Sequence, residues 1–412
     1  MRCTIAHLTT KRVGVFLLLS LLVTMAIAVS GTLTATWDAN TESDLAGYRV
    51  HYGPGSGNYT TVKDVGNQTV YVADNLPAGE EYYFAISAYD RFGNESELST
   101  EVSAVVPDSS LQVDIEYVNG DVLLNWDSIF TADSYEIYRS STAYEYSAAL
   151  QNVSETTFTD PGVSPPINAG MYYKVVAFSN GQIVHEFDPV GVLKIEKKKG
   201  ITLMSLPIVP EDRSLTSVIG SQLTGGTTVG ASDQVIFFTD QGSERAWLVE
   251  GSGTQYDGKW MNEAGSAEFS QDIDPNISFV VRILADHTDT HITFCGTVPM
   301  ETERTITLKP GENYVGSCFP VSVSLLDTEL AQDAVVIGGG SSKDSDLLLS
   351  WNGATFDVAW LAQNTGTQYD GQWMEESGNA VSSIQFKPGK GYIINIKSKP
   401  TNNSWTYPNP GL

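Results

Sequence analysis

Trp37-Asp38-Ala39-Asn40-Thr41-Glu42-Ser43-Asp44-Leu45-Ala46-Gly47-Tyr48-Arg49-Val50-His51-Tyr52 is the stretch that decides the fold of the N-terminal part of this chain. Leu33 to Trp37 alternates apolar and polar residues, as a strand with one buried face does. A polar loop follows, and from Gly47 to Tyr52 the alternation resumes, with Tyr48, Val50 and Tyr52 on one face. Further short apolar runs follow at Thr69 to Val72, Tyr82 to Tyr89 and Leu98 to Val106. Short strands at this spacing, separated by turn residues, predict a β-sandwich.

The same grammar repeats downstream. Val113 to Tyr117, the turn signal Asn119-Gly120, and Val122 to Trp126 predict a hairpin that ends on a tryptophan. Tyr135 to Tyr138, Thr157 to Asp160 and Met171 to Ala177 complete a second set. The order Trp37, Tyr48 to Tyr52, Leu76-Pro77-Ala78-Gly79 and Tyr82 to Ala88 resembles the fibronectin type III family, in its bacterial extracellular form. That resemblance implies two sandwiches, at 29–108 and 109–192. It implies a tryptophan packed between the sheets and a tyrosine corner at Tyr82.

The remainder carries an internal duplication. Gly253-Thr254-Gln255-Tyr256-Asp257-Gly258-Lys259-Trp260-Met261 recurs as Gly366-Thr367-Gln368-Tyr369-Asp370-Gly371-Gln372-Trp373-Met374, 113 positions later. The same offset relates Trp247 to Trp360, Pro207 to Pro320, Asp233 to Asp346 and Pro275 to Pro388. One offset held at so many positions is the mark of a tandem repeat. Its copies are expected at 193–305 and 306–412, each β-rich with a short helix. In the first copy Leu215, Val218, Ile219 and Leu223 give that helix its spacing, with Ser214 or Asp212 as the cap. The pattern resembles a β-rich module of bacterial secreted and surface proteins. The copies can form two small domains or one pseudo-symmetric domain. The expected fold class is therefore mainly all-β.

The chain opens with Arg2, Lys11 and Arg12 around an apolar run, Val13 to Ala28, that ends in Ala26-Ile27-Ala28. This is the plan of a secretory signal, 1–28, cleaved near Val29. Its removal leaves the first sandwich with almost nothing for a first strand. No later segment is apolar for long enough to cross a bilayer as a helix. The expected location is the cell exterior or surface, with the periplasm as the other choice.

Composition narrows the function. With 23 Lys+Arg against 49 Asp+Glu the net charge is −26, and a chain this acidic repels nucleic-acid backbones. No nucleophile elbow, phosphate-binding glycine loop or zinc-protease helix motif is present, so no catalytic residue is named and a non-enzymatic role is expected. His287, Asp289 and His291 alternate and could share a face around a metal, or line a solvated turn.

Three candidate sites remain. Tyr256, Asp257 and Trp260, with Tyr369, Asp370 and Trp373, suit stacking on sugar rings and bonding to hydroxyls; equally, the tryptophans suit a core that both copies need. Asp38, Asn40, Glu42 and Asp90 offer oxygen ligands for calcium, or ordinary turn chemistry. Cys295 and Cys318 can pair as a disulfide or stay as buried thiols. No other cofactor is expected. The leading functional reading is a structural or adhesive protein whose partner is an extracellular protein. A polysaccharide-binding protein and an accessory subunit that pairs through an incomplete first sandwich are the alternatives.

Overall fold

The computed structural model describes residues 5–11, 30–40, 42–77, 79–106, 111–239, 241–285, 290–331, 335–397 and 403–412. The chain divides into two compact units, Met1–Gln112 and Val113–Leu412. It is almost entirely β-structure. No helix among the described residues is long and apolar enough to cross a membrane.

The first unit is a two-sheet sandwich. Its strands are β1 (Ile5–Lys11), β2 (Ser30–Trp37), β3 (Leu45–Gly53), β4 (Thr61–Gly66), β5 (Val70–Pro77), β6 (Glu81–Asp90) and β7 (Val102–Val105). One sheet runs β1-β2-β5 and the other β4-β3-β6-β7. The inward residues of both make one core, in which Trp37 meets Tyr48 edge-on at 5.6 Å and Tyr52 stacks on Phe84 at 5.2 Å. Tyr82 packs against that core from the rim, its ring 6.4 Å from that of Tyr52. The first-strand position is filled by β1, which comes from the expected leader and pairs with β2 from Ile5↔Trp37 to Lys11↔Thr32.

The second unit opens with a sandwich of the same plan: β8 (Val113–Val118), β9 (Asp121–Trp126), β10 (Ser134–Ser140), β11 (Ala149–Val153), β12 (Thr157–Asp160), β13 (Ala169–Ser179), β14 (Gln182–Glu186) and β15 (Val190–Glu196). Asn119 and Gly120 turn the first hairpin with positive φ, 53° and 95°, as a two-residue loop requires. Trp126 meets Tyr135 edge-on at 5.5 Å, matching Trp37 on Tyr48. This sandwich does not end at its own last strand. β15 pairs with β13 on one edge and with β21 (His291–Thr297) on the other. The boundary expected between 192 and 193 falls inside β15.

The first copy of the repeat contains β16 (Gly200–Met204), α1 (Leu215–Val218), β17 (Gln234–Thr239), β18 (Gly242–Leu248), β19 (Trp260–Asn262), β20 (Phe279–Ile283) and β21 (His291–Thr297). The second contains β22 (Glu303–Thr307), β23 (Gly311–Gly316), β24 (Val323–Ser324), β25 (Leu347–Trp351), β26 (Phe356–Leu361), β27 (Trp373–Glu375), β28 (Gln385–Phe386), β29 (Gly391–Ile396) and β30 (Ser404–Pro408). Ser214 caps α1, its side chain accepting from Ser217 N. The second copy differs here: a 3-10 turn, Leu326–Thr328, stands in place of an α-helix among the described residues.

Each copy folds its own five-stranded sheet in the same order, β16-β20-β17-β18-β19 and β23-β29-β25-β26-β27. The two sheets meet across a pseudo-two-fold seam. Met204 bridges to Lys390 and, in the reciprocal place, Ile277 bridges to Val315. Ser205 Oγ and Ser317 Oγ stand 3.2 Å apart near the axis. Gly391 lets the backbones approach, because a Cβ there would lie 2.4 Å from Ser278 Cβ. Leu203, Val280 and Ile393 are buried between the sheets. The copies thus form one pseudo-symmetric body.

The duplication extends to β15. The offset of 113 carries Ile292 and Phe294 onto Trp405 and Tyr407, and in the ladders Ile306 and Arg304 take the places of their partners Ile195 and Leu193. All of these side chains but Arg304 are buried in the two main cores. The pair β15·β21 is therefore the counterpart of β22·β30, and β15 belongs to the sandwich and to the repeat at once. Phe294→Ala is expected to destabilise the 113–412 unit by about 3–5 kcal/mol. In urea, probes in the sandwich and in the repeat should then unfold together. A sandwich transition unmoved by the substitution would show that the two are not coupled.

Candidate functional site

The duplicated Tyr-Asp-Gly-x-Trp segment forms the same loop twice. Asp257 accepts from Ser252 N at 2.9 Å, Ser252 Oγ at 2.7 Å and Gly253 N at 2.9 Å. Asp370 accepts from Thr365 N at 2.9 Å, Thr365 Oγ1 at 2.6 Å and Gly366 N at 3.2 Å. These bonds favour the ionised carboxylates, so both pKa values lie below the ordinary 3.8, the bond from residue 252 or 365 being the largest cause. The loops deliver Trp260 and Trp373 into the cores as the first residues of β19 and β27, only 3% and 1% exposed. Tyr256 is 37% exposed, while Tyr369 is half-buried against the Trp360 cluster. The aspartates are turn locks and the two indoles offer no face to a sugar. Stacking by Trp260 and Trp373 is thereby blocked, while Tyr256 and Tyr369 keep part of their rings at the surface.

A second aspartate pair shows the same economy. Asp233 accepts from the backbone N–H of Thr224 and Leu284, both at 2.9 Å, and Asp346 from Ile337 and Lys397, both at 2.7 Å. Trp247 Nε1 donates to Asn262 O at 2.9 Å and Trp360 Nε1 to Glu375 O at 2.8 Å. The residues alike at the offset of 113 are thus held in place by backbone bonding and burial.

The residues considered for calcium are engaged mostly in turn bonding. Asp90 accepts from Phe92 N at 2.8 Å, Asn94 N at 2.9 Å and Asn94 Nδ2 at 2.7 Å. Asn40 Nδ2 donates to Glu42 Oε2 at 3.1 Å, and Asp38 is exposed. Among the described residues no three of His, Cys, Asp or Glu converge as metal ligands. Asp and Asn close turns with the same oxygens that would bind calcium, and here the turns have them. His287 and Asp289 lie outside the described residues, and His291 opens β21 opposite Glu196.

Cys295 and Cys318 are free thiols. Burial pushes both up to about 12, which leaves almost no thiolate at neutral pH. On the first sandwich, His51 Nε2 lies 2.9 Å from Ser87 Oγ, and Glu95 is bonded to both Ser87 and Arg49. Ser87 is buried, and its hydroxyl donates to the carboxylate rather than to the imidazole, so this is a cross-strand polar ladder and not a nucleophile with its base.

The sequence reading missed a groove of about 890 Å³ at one end of the seam. Phe238 and Tyr314, one from each copy, stack there at 3.6 Å and 4° between planes. Asp274, Ile277, Thr305 and Thr307 add to its lining. Its residues come from separate strands with no shared motif. The one signal was the offset itself, which pairs Phe238 with Trp351, whose Nε1 donates across the seam to Ile201 O at 2.9 Å.

Residues 22–105 match the family model of the fibronectin type III domain. Among solved structures the chain is similar to the crystal structure of chicken CNTN1 FN1-FN3 domains, at 16% identity and a TM-score of 0.20, over 39% of this chain and 60% of that one. It is also similar to a two fibronectin type-III domain segment from chicken tenascin, at 14% identity and a TM-score of 0.20, over 45% of this chain and 96% of that one. The chain therefore spans 60% of the length of the first of these. No curated protein matches.

Asp257→Asn and Asp370→Asn should each lower the thermal midpoint at neutral pH. Because the folded pKa values lie below 3.8, the carboxylate contribution is full above that pH and is lost as pH falls through the lower folded value. Melting curves from pH 7 to pH 2 should show each variant converging on the parent at the acid end. A gap that stays constant with pH would mean that the charge on the loop is not what matters.

Proposed function

We propose that this chain is a secreted or cell-surface structural or adhesive protein without catalytic activity, in which the second sandwich and the repeat act as one rigid display unit. The observation that carries this reading is β15, hydrogen-bonded on both edges, which leaves no linker between sandwich and repeat. A hinge there would let the repeat swing; a shared strand transmits force and fixes its orientation. The apolar leader and the −26 net charge support an exterior location. The expected partner is an extracellular protein. A polysaccharide is the weaker choice, since Trp260 and Trp373 are committed to the cores.

The accessory-subunit reading has one observation in its favour. β1 lies in the segment that the sequence marks for removal, and it covers the outer edge of β2. Cleavage near Val29 would bare that edge for a strand from another subunit.

In a secreting bacterial host that expresses the full chain, added protease should degrade it on intact cells. Beads coated with residues 29–412 should be retained on the surface of those cells under flow. Protection from the protease would sink the exterior location. Retention no greater than that of beads coated with an unrelated β-sandwich would sink the adhesive role.

A further inference from the structure

The two copies of the repeat are alike except at one edge. In the first, β15 gives one edge to β21 and the other to β13, over Ala169↔Lys194 to Tyr173↔Val190. Its counterpart β22 pairs only with β30 among the described residues. Leu308 N donates to Asn403 O and Asn409 N to Thr302 O, both at 2.8 Å, so the even-numbered residues face β30. By the alternation of an antiparallel ladder, the N–H and C=O groups of Glu303, Thr305 and Thr307 then point the other way. In the first copy the residues of that parity are the ones that bond β13, as Asn168 N does to Lys194 O at 2.6 Å.

From this internal precedent we propose that the outer edge of β22 is a strand-addition site for an extended segment of a partner protein, entering antiparallel as β13 does on β15. Native edges are usually blunted by charge, proline or a bulge. From Thr305 to Thr307 this edge has none of these, and its register with β30 is unbroken. The groove runs along the same residues. Phe238, Thr239 and Ser243 of the first copy also line it. Asp274 and Glu312 against Lys309 leave the lining acidic, which suits a strand that carries Lys or Arg. The partner is another protein rather than a second copy, because two chains of net charge −26 repel.

The precedent also sets one side chain. In the first copy Gly191 makes room for Tyr172, whose Cδ1 would lie 2.5 Å from a Cβ at that glycine. In the second copy the ladder puts Thr302 at the matching position, bonded by Asn409 as Gly191 is paired with Gly296. Thr302 has a Cβ where Gly191 has none, so the incoming strand carries a small residue opposite Thr302. This site is separate from β1 and β2, and it stands whether or not the chain is secreted.

The test uses the full chain and a synthetic peptide of residues 167–176 with Tyr172→Ala, and reads amide exchange across 303–307. Exchange at Thr305 and Thr307 should be fast in the free chain and slowed about tenfold or more by the peptide at about 1 mM. Thr305→Pro, or Thr307→Pro if the first fails to fold, removes an outward N–H and should abolish the slowing with the thermal midpoint kept. Edge amides already slow in the free chain, no slowing with peptide, or slowing that survives the proline would each overturn the site. A dimer that the proline dissolves would give the edge to a second copy and overturn the partner assigned here.

Discussion

Everything in the 113–412 unit depends on β15 being bonded along both edges. An edge strand with free N–H and C=O groups is a liability, and a sandwich normally has to end on one. Here the last strand of the sandwich becomes the first strand of the repeat, so the exposed edge and the domain boundary vanish together. Its side chains serve two masters. Leu193 and Ile195 reach into the core that the repeat builds with α1, β17 and β20, while the backbone keeps register with β13. Glycine at 191 lets Tyr172 of the sandwich lie down into that same core. Sandwich and repeat copy accordingly share one sheet and one continuous core.

The seam between the copies follows a different rule. It joins two finished sheets through a few reciprocal backbone contacts and a thin apolar layer. Close approach is possible because small residues, Ser205, Ser278, Ser317 and Gly391, stand where the strands cross. A buried pair of hydroxyls near the axis satisfies itself, and Ser205 Oγ also donates to Lys390 O at 3.0 Å. Pseudo-symmetry makes each contact count twice, so selection for one half of the seam would tend to keep the other.

The sequence made some of this legible and hid the rest. Strand alternation around Trp37 and Trp126 is a local property, and it located both sandwiches. The constant offset is also local, and it located the repeat. What it could not show is where a strand pairs. β15 looks like the last strand of a sandwich because it is one; its second edge depends on β21, which arrives about a hundred residues later. The motif Tyr-Asp-Gly-x-Trp misled for a related reason. Sugar sites and tight turns use the same residue types, and only the direction of the chain after Gly258 and Gly371 sends the indoles inward. The acidic loop after Trp37 is ambiguous in the same way, since turn capping and calcium binding both want short side chains with oxygen.

The cores of the two copies differ in composition, and the sandwich explains how. Where the second copy has Phe386, Tyr392, Trp405 and Tyr407, the first has Ile273, Phe279, Ile292 and Phe294 at the same offset. The second set forms a close aromatic cage, with Trp405 stacked on Tyr407 at 5.0 Å and Phe386 on Tyr392 at 4.2 Å. A duplicated backbone encloses similar space in both copies, and protein interiors tolerate little void. The first copy fills its space with side chains from outside the repeat, Tyr172 and Ala143 with Tyr144 and Tyr146 at the rim, all supplied by the sandwich. The second copy has no sandwich of its own on that face and makes up the volume with larger residues. The aromatic enrichment of the C-terminal strand is thus a packing consequence of its having no sandwich strand beside it. The copy whose β22 pairs only with β30 among the described residues is also the one that carries Trp405 and Tyr407 where the other carries Ile292 and Phe294.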